Sequence, residues 1–133
     1  MSVVKMISTR EFYPTIVDWC KGNNFPSISP SLLPEYTFVI YGDSGEALYS
    51  VCFYNTDSNL AWMGWELKNP DTSKEERQGK LTELFEHVEE YARSIGYAIL
   101  FTTSNTKPVE DVMIGLDYSV GDTNVNHYLK VLN

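Results

Sequence analysis

The stretch from residue 60 to Gly96 fixes most of what this chain can become. Residues 60–67 form a mostly apolar run of strand character, residues 68–78 are polar, and a helical stripe follows. Leu81, Leu84, Phe85, Val88, Tyr91, Ala92 and Ile95 recur at steps of three and four, so a helix gathers them on one side. Glu83, Glu86, His87, Glu89, Glu90 and Arg93 take the other side. Gly96 stands where a left-handed C-terminal cap is expected, and Arg93 lies in the last turn, where positive charge is favoured.

The loop before that helix is the natural seat for chemistry. The first amides of a helix have no internal partners, and together with the helix dipole they favour an anion. A glycine there lets the backbone approach the anion closely. Gly79 occupies that place, with Arg77, Gln78 and Lys80 around it. Lys68, Lys74, Arg77 and Lys80 are four of the chain's 10 basic residues, although Asp71, Glu75 and Glu76 offset most of their charge. The same composition also suits a solvated loop with a helix-breaking glycine.

Elsewhere the chain reads as a mixed sheet with helices on its faces. Residues 3–7 suggest a short strand. Ser8 and Glu11 have the spacing of a capping box, but Pro14 inside the resulting helix costs about 3 kcal/mol, which favours a helix starting or bending near Pro14. Residues 21–24 end it. Pro26, Pro30 and Pro34 among four serines leave room for one or two helical turns at most. Residues 36–41 and 47–54 form the clearest hairpin, joined by Gly42-Asp43-Ser44-Gly45-Glu46. A strand over 98–103, a short helix over 106–114, and two last strands near 118–120 and 127–131 complete the pattern. The expectation is one domain over residues 1–133, an α/β (α+β) fold whose central sheet, mainly antiparallel, has six to seven strands and about four flanking helices.

Composition narrows the classes further. The hydrophobic content of 43% is that of a folded, soluble chain rather than a disordered one. No apolar run reaches the roughly 20 residues of a membrane span, and the first 30 residues show no secretory signal. Cys20 and Cys52 lack metal-ligand spacing and read as reduced packing residues of a cytoplasmic protein, with no metal expected. A net charge of −8 disfavours nonspecific nucleic-acid binding and is compatible with a cationic partner such as an amine. His87 on the acidic helix face and His127 before the last strand give no basis for a triad.

The order strand, glycine-containing basic loop, long helix, Ile-Gly-Tyr, strand, Asn105, short helix, Leu116-Asp117-Tyr118 resembles the GCN5-related N-acetyltransferase (GNAT) superfamily over residues 47–132. Residues Glu76 to Leu81 lie over the family's R/Q-x-x-G-x-G/A signature, Leu84-Phe85 over the apolar pair that follows, and Asn105 over the asparagine after the fifth strand. Glu76 departs from the opening Arg/Gln, Leu81 from the closing small residue, and the loop after Pro70 is a few residues longer.

The resemblance implies acetyl-coenzyme A as donor and a primary amine, on a small molecule or a protein, as acceptor. Direct attack in a ternary complex and a monomeric or homodimeric enzyme are implied with it. It implies that Arg77, Gln78, Gly79, Lys80 and Leu81 meet the pyrophosphate and that Leu67, Lys68 and Asn69 pair with the pantetheine arm at a splayed strand end, assisted by Pro70. Asn105 joins them. The proline-rich segment 25–35 would border the acceptor. Glu66 is the candidate base. Alternation sends Ala61, Met63, Trp65 and Leu67 to one face and Leu60, Trp62, Gly64 and Glu66 to the other, and a glutamate beside Trp62 and Trp65 has reason to carry a raised pKa. The short helix lacks the tyrosine that usually protonates the departing thiolate, with Val112 and Met113 at the matching positions, and Tyr118 comes too late in the chain. Those departures keep a second reading open, a GNAT-like fold retained as a catalytically silent binding or inhibitory module.

Overall fold

The computed structural model describes residues 1–104 and 106–132. Its frame is a five-stranded sheet in the order β1 (Val3–Ser8), β2 (Tyr36–Tyr41), β3 (Ala47–Tyr54), β4 (Leu60–Lys68), β5 (Ile99–Thr102). Each neighbouring pair among the first four strands is antiparallel, and β5 joins β4 in parallel. That single parallel pair is what the intervening long helix requires, since a parallel connection must cross over the sheet. The fold class is thus the expected mixed, mainly antiparallel α+β arrangement.

Helices cover both faces. The helix α1 (Thr9–Gly22) packs Phe12, Ile16, Trp19 and Cys20 against Val39 and Leu67 on one side. A four-residue turn of helix, α2 (Lys74–Arg77), leads into α3 (Lys80–Ser94), and α4 (Lys107–Gly115) follows β5. On the second side α3 buries Leu81, Leu84, Phe85, Val88 and Ala92 against Phe38, Ile40, Val51, Phe53 and Met63. Each fully buried side chain of this size contributes about 1.5–3 kcal/mol of transfer free energy. The expected stripe is present except at its end: Ile95 lies past the helix and is exposed, while Gly96 takes the left-handed cap and the Tyr97 amide closes on the Ala92 carbonyl.

Three expectations change. The helix α1 begins at Thr9 with Pro14 inside it, and Ser8 makes no side-chain cap. Burial of Phe12, Ile16 and Trp19, whose rings Phe12 and Trp19 meet edge-on at 5.5 Å, outweighs the lost hydrogen bond at the proline. Residues 118–120 and 127–131 form no strand, so the sheet has five strands among the described residues, not six or seven. The edge that β5 offers is only four residues long, and the polar run around Gly121 and Asn124, the latter at φ 56°, turns the chain away. Finally, Ala61 and Met63 face α3 but Leu67 faces α1, so alternation fails within β4.

Candidate active site

The failure of alternation is local and has one cause. Cys52 pairs with Gly64, and Ser50 with Leu67, so the single residue Val51 on β3 is met by two on β4, Trp65 and Glu66. Trp65 takes φ 58°, a left-handed conformation that costs a bulky residue about 1–2 kcal/mol. This bulge bends β4. Its pairing with β5 runs only from Leu60↔Ile99 to Met63↔Thr102, and beyond Met63 the strand continues to Lys68 against β3 alone. The two strands therefore part at the bulge, several residues before the Pro70 that the sequence suggested as the cause.

Glu66 sits in the fork. Thr102 Oγ1 donates a 3.1 Å hydrogen bond to its Oε1 from β5. Burial pushes the carboxyl above the usual glutamate range, and hydrogen bonds from its own backbone and from Thr102 hold back part of that rise. Trp65 points its indole elsewhere: Nε1 donates to Tyr54 Oη at 2.6 Å, and that hydroxyl donates to the Leu32 carbonyl at 2.8 Å. Tyr54 also stacks on Trp62 with ring centroids 4.7 Å apart. A second tyrosine, Tyr13, donates to the Ile28 carbonyl at 2.7 Å, so the proline-rich segment is tied down beside the bulge.

The other half of the site is the start of α3. Gly79 is its N-cap at φ 75°, no side chain caps the first amides, and nothing lies within 4 Å of the place a Cβ would take. A cleft of about 660 Å³ opens there, lined by Lys68, Lys74, Arg77, Gln78, Gly79, Leu81 and one carboxylate, Glu75, with Pro108 and Val112 of α4 across from them. Uncapped amides, a bare glycine and three cations suit an anionic group.

The residues singled out in the sequence fall into distinct places. Glu76 does not face the cleft as a charge partner: its Oε1 accepts from the Ser73 amide at 2.9 Å while Ser73 Oγ accepts from the Glu76 amide at 3.1 Å, a capping box that builds α2. The longer loop is this extra turn. Arg77 Nη1 donates to the Thr72 carbonyl and, at 2.9 Å, to Thr72 Oγ1, which fixes the guanidinium at the cleft wall. Lys80 turns away, donating to Ser2 Oγ at 2.9 Å and lying 4.0 Å from Glu83. Leu81 borders the cleft but buries its side chain in the core, so the large residue does not plug the opening.

Leu67 is buried under α1, and Lys68 lines the cleft with its carbonyl accepting from Asn23 Nδ2 at 3.0 Å. The main chain of Asn69 is already engaged, its amide with the Leu48 carbonyl at 2.8 Å and its carbonyl with Thr72. Asn105 lies outside the described residues. Tyr118 is packed beside Glu89 of α3, where burial and that neighbouring carboxylate push its hydroxyl well above the tyrosine range. His87 and His127 are exposed. Cys20 and Cys52 are buried and unpaired, with Cys52 pushed up to about 11 by burial. Among the described residues no three His, Cys, Asp or Glu side chains are placed to hold a metal ion, and no helix is long and apolar enough to cross a membrane. Sequence reasoning missed Lys74, which only its count among the loop cations signalled, and the bulge at Trp65, which has no sequence signature.

No protein-family model matches the chain, and no curated protein matches its sequence. Solved structures do. An acetyltransferase of Trypanosoma brucei superimposes with a TM-score of 0.64 at 12% identity, covering 97% of this chain and 100% of its own. An aminoglycoside acetyltransferase from an uncultured soil metagenomic sample, in complex with sisomicin, reaches 0.68 at 12% identity over 99% and 97%. A ribosomal-protein-alanine N-acetyltransferase from Brucella melitensis reaches 0.64 at 13% identity over the whole of both chains. The fold of this chain is theirs.

Proposed function

We propose, from a fold shared with the GNAT acetyltransferases, that residues 1–133 act as one N-acyltransferase domain moving the acetyl group of acetyl-coenzyme A to a primary amine. One observation carries the reading: β4 and β5 part at a bulge that holds a half-buried carboxylate, and the gap lies in the same molecule as an uncapped glycine-led helix start with an anion-friendly cleft. Either feature alone is common. Together they meet both demands of the reaction, a seat for a diphosphate and a proton acceptor beside an opened strand.

The residues present fit the donor. The amides following Gly79 are unclaimed by any side chain, and Lys68, Lys74 and Arg77 supply charge around them. Leu67, on the part of β4 that has left β5, offers main-chain groups to the pantetheine arm, with Lys68 beside it although its carbonyl already accepts from Asn23, whereas Asn69 shapes the loop. When bound, acetyl-coenzyme A supplies an activated thioester carbonyl. Glu66 takes a proton from the incoming ammonium, since only the neutral amine has a lone pair, and its raised pKa makes it a stronger base than an ordinary glutamate. The amine then attacks directly in a ternary complex. No tyrosine lies on α4, so the departing thiolate leaves unaided or takes its proton from water.

The unpaired cysteines support a reducing, cytoplasmic setting, and we take the enzyme to be a monomer or homodimer acting without metal, nucleic acid or membrane. Acetyl-coenzyme A at about 100 times its dissociation constant should stabilise the fold by about 2.7 kcal/mol, read as a rise in Tm. No rise at millimolar concentration overturns the reading. A second reading, a binding module that holds the coenzyme without turnover, is favoured by Val112 at the cleft where an acid is usual. It predicts the rise in Tm with no release of coenzyme thiol in the presence of amines.

A further inference from the structure

The sheet face around the bulge carries a partly exposed aromatic surface. Residues paired across neighbouring strands share a face, so Tyr54, Trp62 and Phe101 form one cross-strand row over β3, β4 and β5. Tyr54 stacks on Trp62, the indole of Trp65 is pinned to Tyr54 Oη, and the buried Nε1 of Trp62 has no partner. Phe101 is 49% exposed and Trp65 37%. Glu66 follows Trp65 at the fork where β4 leaves β5: Phe101 shares the face of the row, whereas Thr102, paired with Met63, holds the carboxylate from the α3 side of the same fork. The row contains no carboxylate. The acidic residues behind the charge of −8 include Glu86 and Glu90, on the exposed side of α3.

Resting on the acetyltransferase reading, we infer that the acceptor is a primary monoamine with an aryl or branched alkyl body, held on the Tyr54–Trp62–Phe101 row and Trp65 with its nitrogen at Glu66. The physical grounds are complementary. An aromatic floor stabilises an apolar body by burial and an ammonium by cation–π attraction, and Glu66 supplies the one negative charge that a single ammonium needs. A polycationic aminosugar would leave its remaining ammonium groups over apolar surface with no counter-charge, which costs affinity. The acceptor therefore differs in class from the sisomicin held by the aminoglycoside acetyltransferase of the same fold.

The test is a panel of amines with the full chain and acetyl-coenzyme A, following thiol release and indole fluorescence. Phenylalkyl and branched alkyl monoamines should saturate, quench the fluorescence, and give kcat/KM at least about tenfold above sisomicin or a linear polyamine. Trp65→Asn, which keeps a residue tolerant of the left-handed backbone, and Phe101→Thr at an exposed position should each raise KM for the monoamine roughly tenfold. Both should keep the rise in Tm with acetyl-coenzyme A. A preference for the polycations, or unchanged KM in both variants, overturns the inference while leaving the acetyltransferase reading in place. So does a fluorescence blind to monoamines because the C-terminal segment or a second copy covers the row. No rise in Tm with acetyl-coenzyme A in the unaltered chain overturns both.

Discussion

Thr102 on β5 holds Glu66 on β4 by a 3.1 Å hydrogen bond across the point where the two strands stop pairing. The bond spans a gap that the backbone no longer bridges, and it orients the carboxylate in a partly dry place.

Replacing Glu66 by Gln should slow acetyl transfer tenfold or more, the scale of losing a positioned base. The pH dependence has a definite sign. Burial raises the folded pKa above the unfolded value, so the stability the protonated carboxyl contributes is full below the unfolded pKa and is lost as pH rises through the folded one. The Tm of Glu66→Gln relative to the unaltered chain should therefore rise as pH climbs from the ordinary glutamate pKa through the raised folded one, and level off above it. A Tm difference that is flat with pH, or turnover that is unchanged, removes Glu66 from this role.

Gly79→Ala isolates the backbone at the start of α3. Nothing lies near the new methyl group, so the cost is that of a left-handed conformation, about 1 kcal/mol in denaturant unfolding. On the proposed reading the methyl would also stand in the path of the diphosphate, so coenzyme A should bind at least tenfold more weakly by calorimetry. Equal affinity would show that the anion, if bound, sits elsewhere.

Gly22 closes α1 against the loop that follows β4. A Cβ there would stand 2.4 Å from Pro70 Cγ, so Gly22→Ala should destabilise the chain by about 1–3 kcal/mol. Urea midpoints of the two proteins measure it, and equal midpoints would mean that α1 and Pro70 separate freely.

Asp117 caps α4 at φ 67°, with the Tyr118 amide bonded to the Met113 carbonyl at 2.9 Å. Glycine is the residue this cap prefers. Asp117→Gly should raise stability by about 1 kcal/mol, seen as a higher urea midpoint with an unchanged slope.

Periodicity carried most of the fold. The residues of α3, the hairpin from Tyr36 to Tyr54 and the crossover into β5 follow from patterns of three-to-four and two. Pro14 misled only as to where α1 starts, because a local penalty was weighed without the burial of Phe12, Ile16 and Trp19 that outweighs it. The expected strands at 118–120 and 127–131 rested on composition, and composition does not reveal that β5 is only four residues long. The place of Gly79 at the head of α3 was legible from chemistry alone. Arg77 and Lys80 look equivalent in sequence, yet one lines the cleft and the other is held by Ser2, a partner 78 residues away. The bulge was beyond reach, since tryptophan is a poor guess for a left-handed position and only tertiary packing against Tyr54 explains it.

The bulge at Trp65 also couples two properties that usually vary independently. A residue forced into an unfavourable rotation persists only while its surroundings compensate, and here Tyr54 and the segment at Leu32 provide that support. Variants that relax position 65 should make a hardier protein and a poorer catalyst at one stroke. Selection for robustness alone would drift toward glycine there and forfeit the indole.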